Sequence, residues 1–208
     1  RMVREARTAG ATGHRNVVAV TDMGWTDQGA LFLVMEYLEG RTLRRLLKEE
    51  GPQPLERAAN LVFQILSALI AVHDKGIVHR DLKPDNVMLT AGDEGEELVK
   101  VLDFGISKVL KSEQRLELTR TGSVLGSPRY MSPEQARGGN IDRRTDIYSV
   151  GAILYQLLAG RPPLRAKNFT AMIAAILSET IAPPSTYAPG LPSAVAQIVL
   201  KALARDAD

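Results

Sequence analysis

The chain has no cysteine. That excludes disulfide staples and thiolate metal centres, and it fits a reducing compartment such as the cytosol. A charge excess is missing too: 26 Lys and Arg against 24 Asp and Glu leave a formal +2. So small a balance gives no argument for a nucleic-acid or membrane-surface partner. No run of about 18 apolar residues is read, and no signal peptide opens the chain. Internal repeats and low-complexity tracts are likewise absent from the sequence. What is present is ordinary for a globular protein, with 45% hydrophobic and 24% charged residues. A length of 208 residues holds one domain or two small lobes with a substantial core.

Taken in order, residues 1–9 have helix-forming composition, and Gly10 and Gly13 follow as breakers. Residues 17–20 and 30–37 read as strands, with Asp27-Gln28-Gly29 as the turn between them. Residues 41–50 read as a short helix whose Arg and Lys residues form a solvated face. From Leu55 the apolar positions 55, 58, 59, 62, 65, 66, 69 and 72 keep helical spacing, and Gly76 is the stop. This predicts an amphipathic core helix. Residues 87–89 and 98–102 read as a hairpin about a Gly/Asp/Glu-rich turn, which would bring Asn86 and Asp103 together. Residues 145–159 are apolar on most sides, the pattern of a buried central helix ended by Gly160. Two further amphipathic helices are expected over 168–178 and 193–203, the latter with apolar positions 195, 198, 199, 202 and 203. Pro183, Pro184, Pro189 and Pro192 keep the connection between them non-helical.

The chemistry concentrates in His79-Arg80-Asp81-Leu82-Lys83-Pro84-Asp85-Asn86, followed by Asp103-Phe104-Gly105 and Ser132-Pro133-Glu134. A carboxylate, an ammonium and an amide at 81, 83 and 86 can converge on one hydroxyl and one cluster of phosphates. The first tripeptide alone would be weak, since any loop can carry it. All three motifs in this order resemble the catalytic domain of the protein Ser/Thr kinases, and the wording MSPEQARG is similar to the bacterial members.

That resemblance implies an α+β, bilobal fold. Residues 1–38 would be a partial small lobe, a helix plus two strands and the hinge. Residues 39–208 would be a mainly helical large lobe lacking its last helix. It implies ATP and Mg²⁺ as cofactors. Asp81 would take the proton of the substrate hydroxyl, and Lys83 would neutralise the transferring phosphoryl group. Asn86 and Asp103 would be the metal ligands, aimed by Gly105 with Phe104 packed beneath. The Glu36 carbonyl and the Leu38 amide and carbonyl would meet the adenine edge, with Met88 lining the nucleotide site and Met35 as gatekeeper. Glu5 would pair with the nucleotide-anchoring lysine. Arg80 would clamp a regulatory phosphate carried by Thr119, Thr121 or Ser123. Ser127 stands where the family usually has Thr and keeps its hydroxyl.

The Leu82-Lys83-Pro84 run favours a serine or threonine in a protein substrate over tyrosine. No nucleic-acid partner is implied, dimerisation would serve autophosphorylation, and the catalytic domain would be cytoplasmic with any membrane anchor outside this segment. The rival readings are a pseudokinase or scaffold, against which the complete polar set argues, and a small-molecule kinase, which generally lacks the Ser132-Pro133-Glu134 segment. The family's Gly-rich loop and strand lysine would lie upstream of Arg1. The expectation is therefore the middle of a longer domain, nearly inactive by itself.

Overall fold

Strand β1 (Val20–Trp25) and strand β2 (Leu31–Met35) pair antiparallel, with an irregularity between Val20 and Asp22. The turn joining them is closed by Thr26, whose hydroxyl accepts the Ala30 N–H, and by Gly29 at φ 78°. In the computed structural model, residues 12–104 and 128–206 are described. The helix expected over 1–9 lies outside them, as do Glu5, Gly105, Thr119, Thr121, Ser123 and Ser127.

The first strand starts at Val20 and not at Val17. Val17 and Val18 are buried and turn to the second sheet: Val17 makes an isolated parallel bridge to Val101, and the Val18 N–H donates to the Val101 carbonyl. The second strand stops at Met35, short of Tyr37. The Glu36 carboxylate folds back there to accept the Ala19 N–H at 2.8 Å.

The second sheet runs β3 (Gly40–Thr42), β4 (Val87–Ala91), β5 (Glu97–Val101), antiparallel throughout. Strand β3 replaces the start of the helix expected from Arg41. Gly40 makes the pairing possible: a Cβ at this position would sit 2.0 Å from the Leu89 carbonyl oxygen. Thr42 then caps helix α1 (Leu43–Glu50) by accepting the Arg45 N–H. The α1 residues facing inward are Leu43 and Leu46, and its outer face is tied up in ion pairs from Arg41 and Arg45 to Glu49.

Helix α2 (Leu55–His73) is long and apolar enough, by length and composition, to cross a membrane. Its burial identifies it as the core helix instead, with Leu61, Ile65, Ala68, Leu69 and Val72 inside. The buried stripe is turned slightly from the expected one, because Leu61 and Ala68 are inside whereas Ala59 is exposed. Polar residues on α2 serve the sheet edge. Gln64 accepts the Val99 N–H and donates to the Glu97 carbonyl, while Arg57 forks onto the Glu97 carboxylate at 3.0 and 2.6 Å.

Helix α4 (Arg144–Ala159), which follows the short helix α3 (Pro133–Arg137), runs through the interior between α2 and helix α6 (Ser193–Ala202). Gly160 ends it in the left-handed conformation. Helix α5 (Phe169–Ser178), capped by Asn168, belongs to a smaller cluster with Leu164. On α6 the expected inward residue Ile198 is 63% exposed, whereas Ala196, Val199 and Leu203 are buried, and Ala202 lies against Gly151 of α4.

Candidate active site

Chain reversal after α2 begins at Gly76, whose positive φ of 73° is open to glycine without strain. Residues 77–83 then form an irregular loop, closed by a single 3-10 turn at Pro84–Asn86, whose backbone groups must find partners outside regular helix and sheet. His79 is fully buried and does much of this. Its Nε2–H donates to the Leu102 carbonyl at 2.8 Å, and its Nδ1 accepts the Asp81 N–H at 3.3 Å. Its ring lies 4.8 Å from that of Phe104. One imidazole thus joins the 79–86 loop to the residues around Asp103.

From below, α4 supplies Asp146. This carboxylate is 0% exposed and accepts the N–H groups of His79 and Arg80, each at 2.9 Å, and pairs with His73 Nε2 at 2.7 Å. Asp146 was not among the residues expected to matter. The available signal was a carboxylate in the first turn of a helix otherwise read as buried.

Arg80 and Asp103 are the non-glycine residues with positive φ among those described, at 68° and 59°. Such backbones cost on the order of 1–3 kcal/mol each and persist where the surroundings over-determine them. Arg80 meets that condition, held at its N–H by Asp146 and at its carbonyl by Gln135 Nε2, 2.6 Å away. Its own Nε is buried without a partner among the described residues.

Within this frame Lys83 Nζ donates to Asp81 Oδ2 at 2.7 Å, with both side chains part-exposed. Asn86 Nδ2 donates to the Asp81 carbonyl at 2.9 Å, a bond that does not use its Oδ1. The Asn86 carbonyl in turn accepts the Leu102 N–H at 2.9 Å, so the hairpin does bring the two motifs side by side. Beside the loop, Asp85 pairs with Arg44. The Tyr130 hydroxyl donates to Gln156 Oε1, and burial pushes this phenol up to about 12. Glu134 accepts the hydroxyl of Thr145, so the Ser132-Pro133-Glu134 segment is anchored to the start of α4.

After β2, Glu36 pairs with Lys100 at 2.7 Å. Burial raises the Glu36 carboxyl, but the Lys100 ammonium and the Ala19 N–H outweigh it and hold it below the ordinary range. Between β2 and β3, the Leu38 backbone has no hydrogen bond among the described residues. Met35 is 38% exposed and so is not a core methionine; Met88 on β4 is half-buried. A shallow polar cleft of about 520 Å³ opens elsewhere, between Arg41, Arg45 and the 95–97 turn. It contains none of the residues of the 79–86 loop, and three of its carboxylates, Glu49, Glu96 and Glu97, are already paired with arginines.

The comparisons with known proteins cover this whole arrangement. Over 209 aligned residues, 99% of the chain, it is 42% identical to the serine/threonine-protein kinase pkn3 of Myxococcus xanthus, of which it covers 38%. It is 40% identical to PknB of Mycobacterium leprae, covering 33% of it, and 39% identical to PrkC of Bacillus subtilis, covering 31%. The chain thus spans about a third of the length of these curated relatives. Among solved structures, the kinase domain of Mycobacterium tuberculosis PknI matches all of the chain with a TM-score of 0.75 at 25% identity, over 71% of that domain. Residues 1–207 match the family described as the protein kinase domain, to which this chain belongs.

Proposed function

We propose that the protein containing this chain transfers the γ-phosphoryl group of ATP to serine or threonine hydroxyls of proteins. The observation that carries the reading is that Lys83 and Asn86 are both hydrogen-bonded to Asp81, in a loop held by His79 and Asp146. Asp81 accepts the hydroxyl proton as that oxygen forms its bond to the γ-phosphorus and the bond to the β–γ bridging oxygen breaks. Lys83, within 2.7 Å of Asp81, spreads positive charge where negative charge gathers on the transferring group. The Oδ1 of Asn86 and the Asp103 carboxylate are two hard oxygen donors, with Asp103 in no ion pair among the described residues. That donor set suits Mg²⁺, which takes few protein ligands and completes its octahedron with phosphate oxygens and water. When bound, the ion neutralises phosphate charge and fixes the geometry of the oxygens.

The free backbone of Leu38 and the carbonyl of Glu36 are assigned to the adenine edge, with Met88 beneath. We divide the chain into residues 1–38, the remainder of a small lobe with its hinge, and residues 39–208, the helical lobe. Arg80 is assigned to clamp a phosphate on Thr119, Thr121 or Ser123, and Glu5 to pair with a lysine outside this segment. The domain works in the cytoplasm, and a second copy serves as autophosphorylation partner.

Labelled ATP and a generic basic protein substrate, assayed with the full-length protein, test the reading. Label on serine or threonine is expected; nucleotide binding without transfer would make the domain a pseudokinase.

A further inference from the structure

We infer that Gln135 is a positioning residue for phosphoryl transfer, orienting the peptide unit that carries Asp81; this rests on the reading of Asp81 given above. The side chain of Gln135 has both ends committed. Its Oε1 accepts the Ser132 N–H at 3.0 Å and completes a capping box at the start of α3. Its Nε2 donates to the Arg80 carbonyl at 2.6 Å, across 55 residues of sequence. Turning the amide over would set oxygen against oxygen and N–H against N–H, so its two neighbours fix one orientation.

The Arg80 carbonyl belongs to the same peptide plane as the Asp81 N–H. That N–H donates to His79 Nδ1 at 3.3 Å. The plane is therefore held at its oxygen by Gln135 and at its nitrogen by His79. It needs both, because Arg80 sits at φ 68°, outside the conformations its side chain prefers. Asp146 fixes the other side of Arg80 through its N–H but does not touch this plane. Without the Gln135 bond, the plane is free to rotate, and the Asp81 carboxylate swings with it. A misplacement of about 1 Å at a reacting group can cost on the order of a hundredfold in rate. A single glutamine thus couples the helix that Ser132 caps to the catalytic loop.

The test compares full-length wild type with Gln135→Glu, Gln135→Met and Asp81→Asn. Glutamate keeps the acceptor for the Ser132 N–H, so the helix cap survives. When ionised it turns a lone pair towards the Arg80 carbonyl. The expected kcat at pH 8 is about tenfold or more below wild type, with KM for ATP and peptide within about twofold. The facing carbonyl disfavours the charged form, and a protonated glutamate regains a donor. The ratio of variant to wild-type kcat should therefore climb as pH falls from about 8 towards 5.5. Gln135→Met should lose kcat without that recovery, and it carries the test by its kcat–KM split if Gln135→Glu does not fold.

A Gln135→Glu ratio flat in pH, with kcat falling only in step with thermal stability, overturns the positioning role. So do unchanged kcat values in both Gln135 variants beside an inactive Asp81→Asn. Full activity in Asp81→Asn overturns the assignment of Asp81 instead, whatever the Gln135 variants do.

Discussion

The buried carboxylate of Asp146 accepts the backbone N–H of Arg80 at 2.9 Å, and it does so for a residue whose φ is 68°. A helix running through the interior thereby holds a strained turn in the loop that bears Asp81. The same carboxylate takes the His79 N–H and the His73 ring. Replacement by alanine strands three donors, that of His79 buried and those of Arg80 and His73 part-buried.

An unsatisfied buried donor costs on the order of 1–3 kcal/mol, and part-buried ones less, so Asp146→Ala is expected to lose about 2 kcal/mol of stability or more. Urea denaturation measures this directly. Asp146→Asn retains one acceptor oxygen and should lose less. A wild-type urea midpoint in Asp146→Ala would mean that the loop does not depend on this carboxylate.

Asp81→Asn keeps the size of the side chain and removes its basicity. The kcat of the full-length protein should fall at least about a hundredfold, the ordinary loss on removing a general base. KM for ATP should stay near wild type, since the proposed role of Asp81 is towards the hydroxyl and not the adenine. Steady-state assays at saturating ATP give the comparison, and an Asp81→Asn enzyme as fast as wild type rejects the role.

Much of this arrangement is legible in the sequence because it is local. Residues 79–86 carry their chemistry within one loop, and the period of apolar residues marks α2, α4 and α5 without tertiary information. What the sequence hides is long-range. Strand β3 is three residues long and exists because Gly40 lets a backbone approach Leu89. Local pattern alone assigns those residues to the helix that follows. Val17 and Val18 have strand composition, yet the segment bridges to Val101, more than 80 residues away, through the Val18 N–H and the Asn16 carbonyl. Helical period locates a helix better than it aims one, so Ile198 is turned to solvent although it fits the apolar stripe. Asp146 and Gln135 are polar residues whose partners lie 66 and 55 positions away, a separation at which no spacing rule operates.

The Glu36–Lys100 pair makes stability depend on pH with a definite sign. Burial raises the Glu36 carboxyl, but the Lys100 and Ala19 contacts overcome it and hold it below the ordinary 4.5 in the folded protein. A carboxyl depressed on folding stabilises above its unfolded value and loses that contribution as pH falls through the folded one. The window therefore lies below pH 4.5. Both side chains are partly solvated, and the pair contributes at most about 1 kcal/mol. Glu36→Gln should lower the urea midpoint at pH 7, and the gap to wild type should close near pH 3. A gap that persists undiminished at pH 3 contradicts the ionic origin.

Gly151 lies in the middle of α4, where glycine is a poor helix former by about 1 kcal/mol relative to alanine. In an isolated helix Gly151→Ala would stabilise. Here a Cβ would stand 2.8 Å from the Ala202 Cβ and 3.3 Å from Leu203 Cγ, so α6 would have to move off α4. Overpacking of this kind costs about 1–3 kcal/mol, more than the gain in propensity. Gly151→Ala is therefore expected to be destabilising by a net amount of up to about 2 kcal/mol. Adding Ala202→Gly removes the atom that is struck, and the double variant should recover part of the loss. The coupling between the two sites in a double-mutant cycle is the quantity to measure. Strict additivity, or a Gly151→Ala protein more stable than wild type, would mean that α4 and α6 are not in the close contact described.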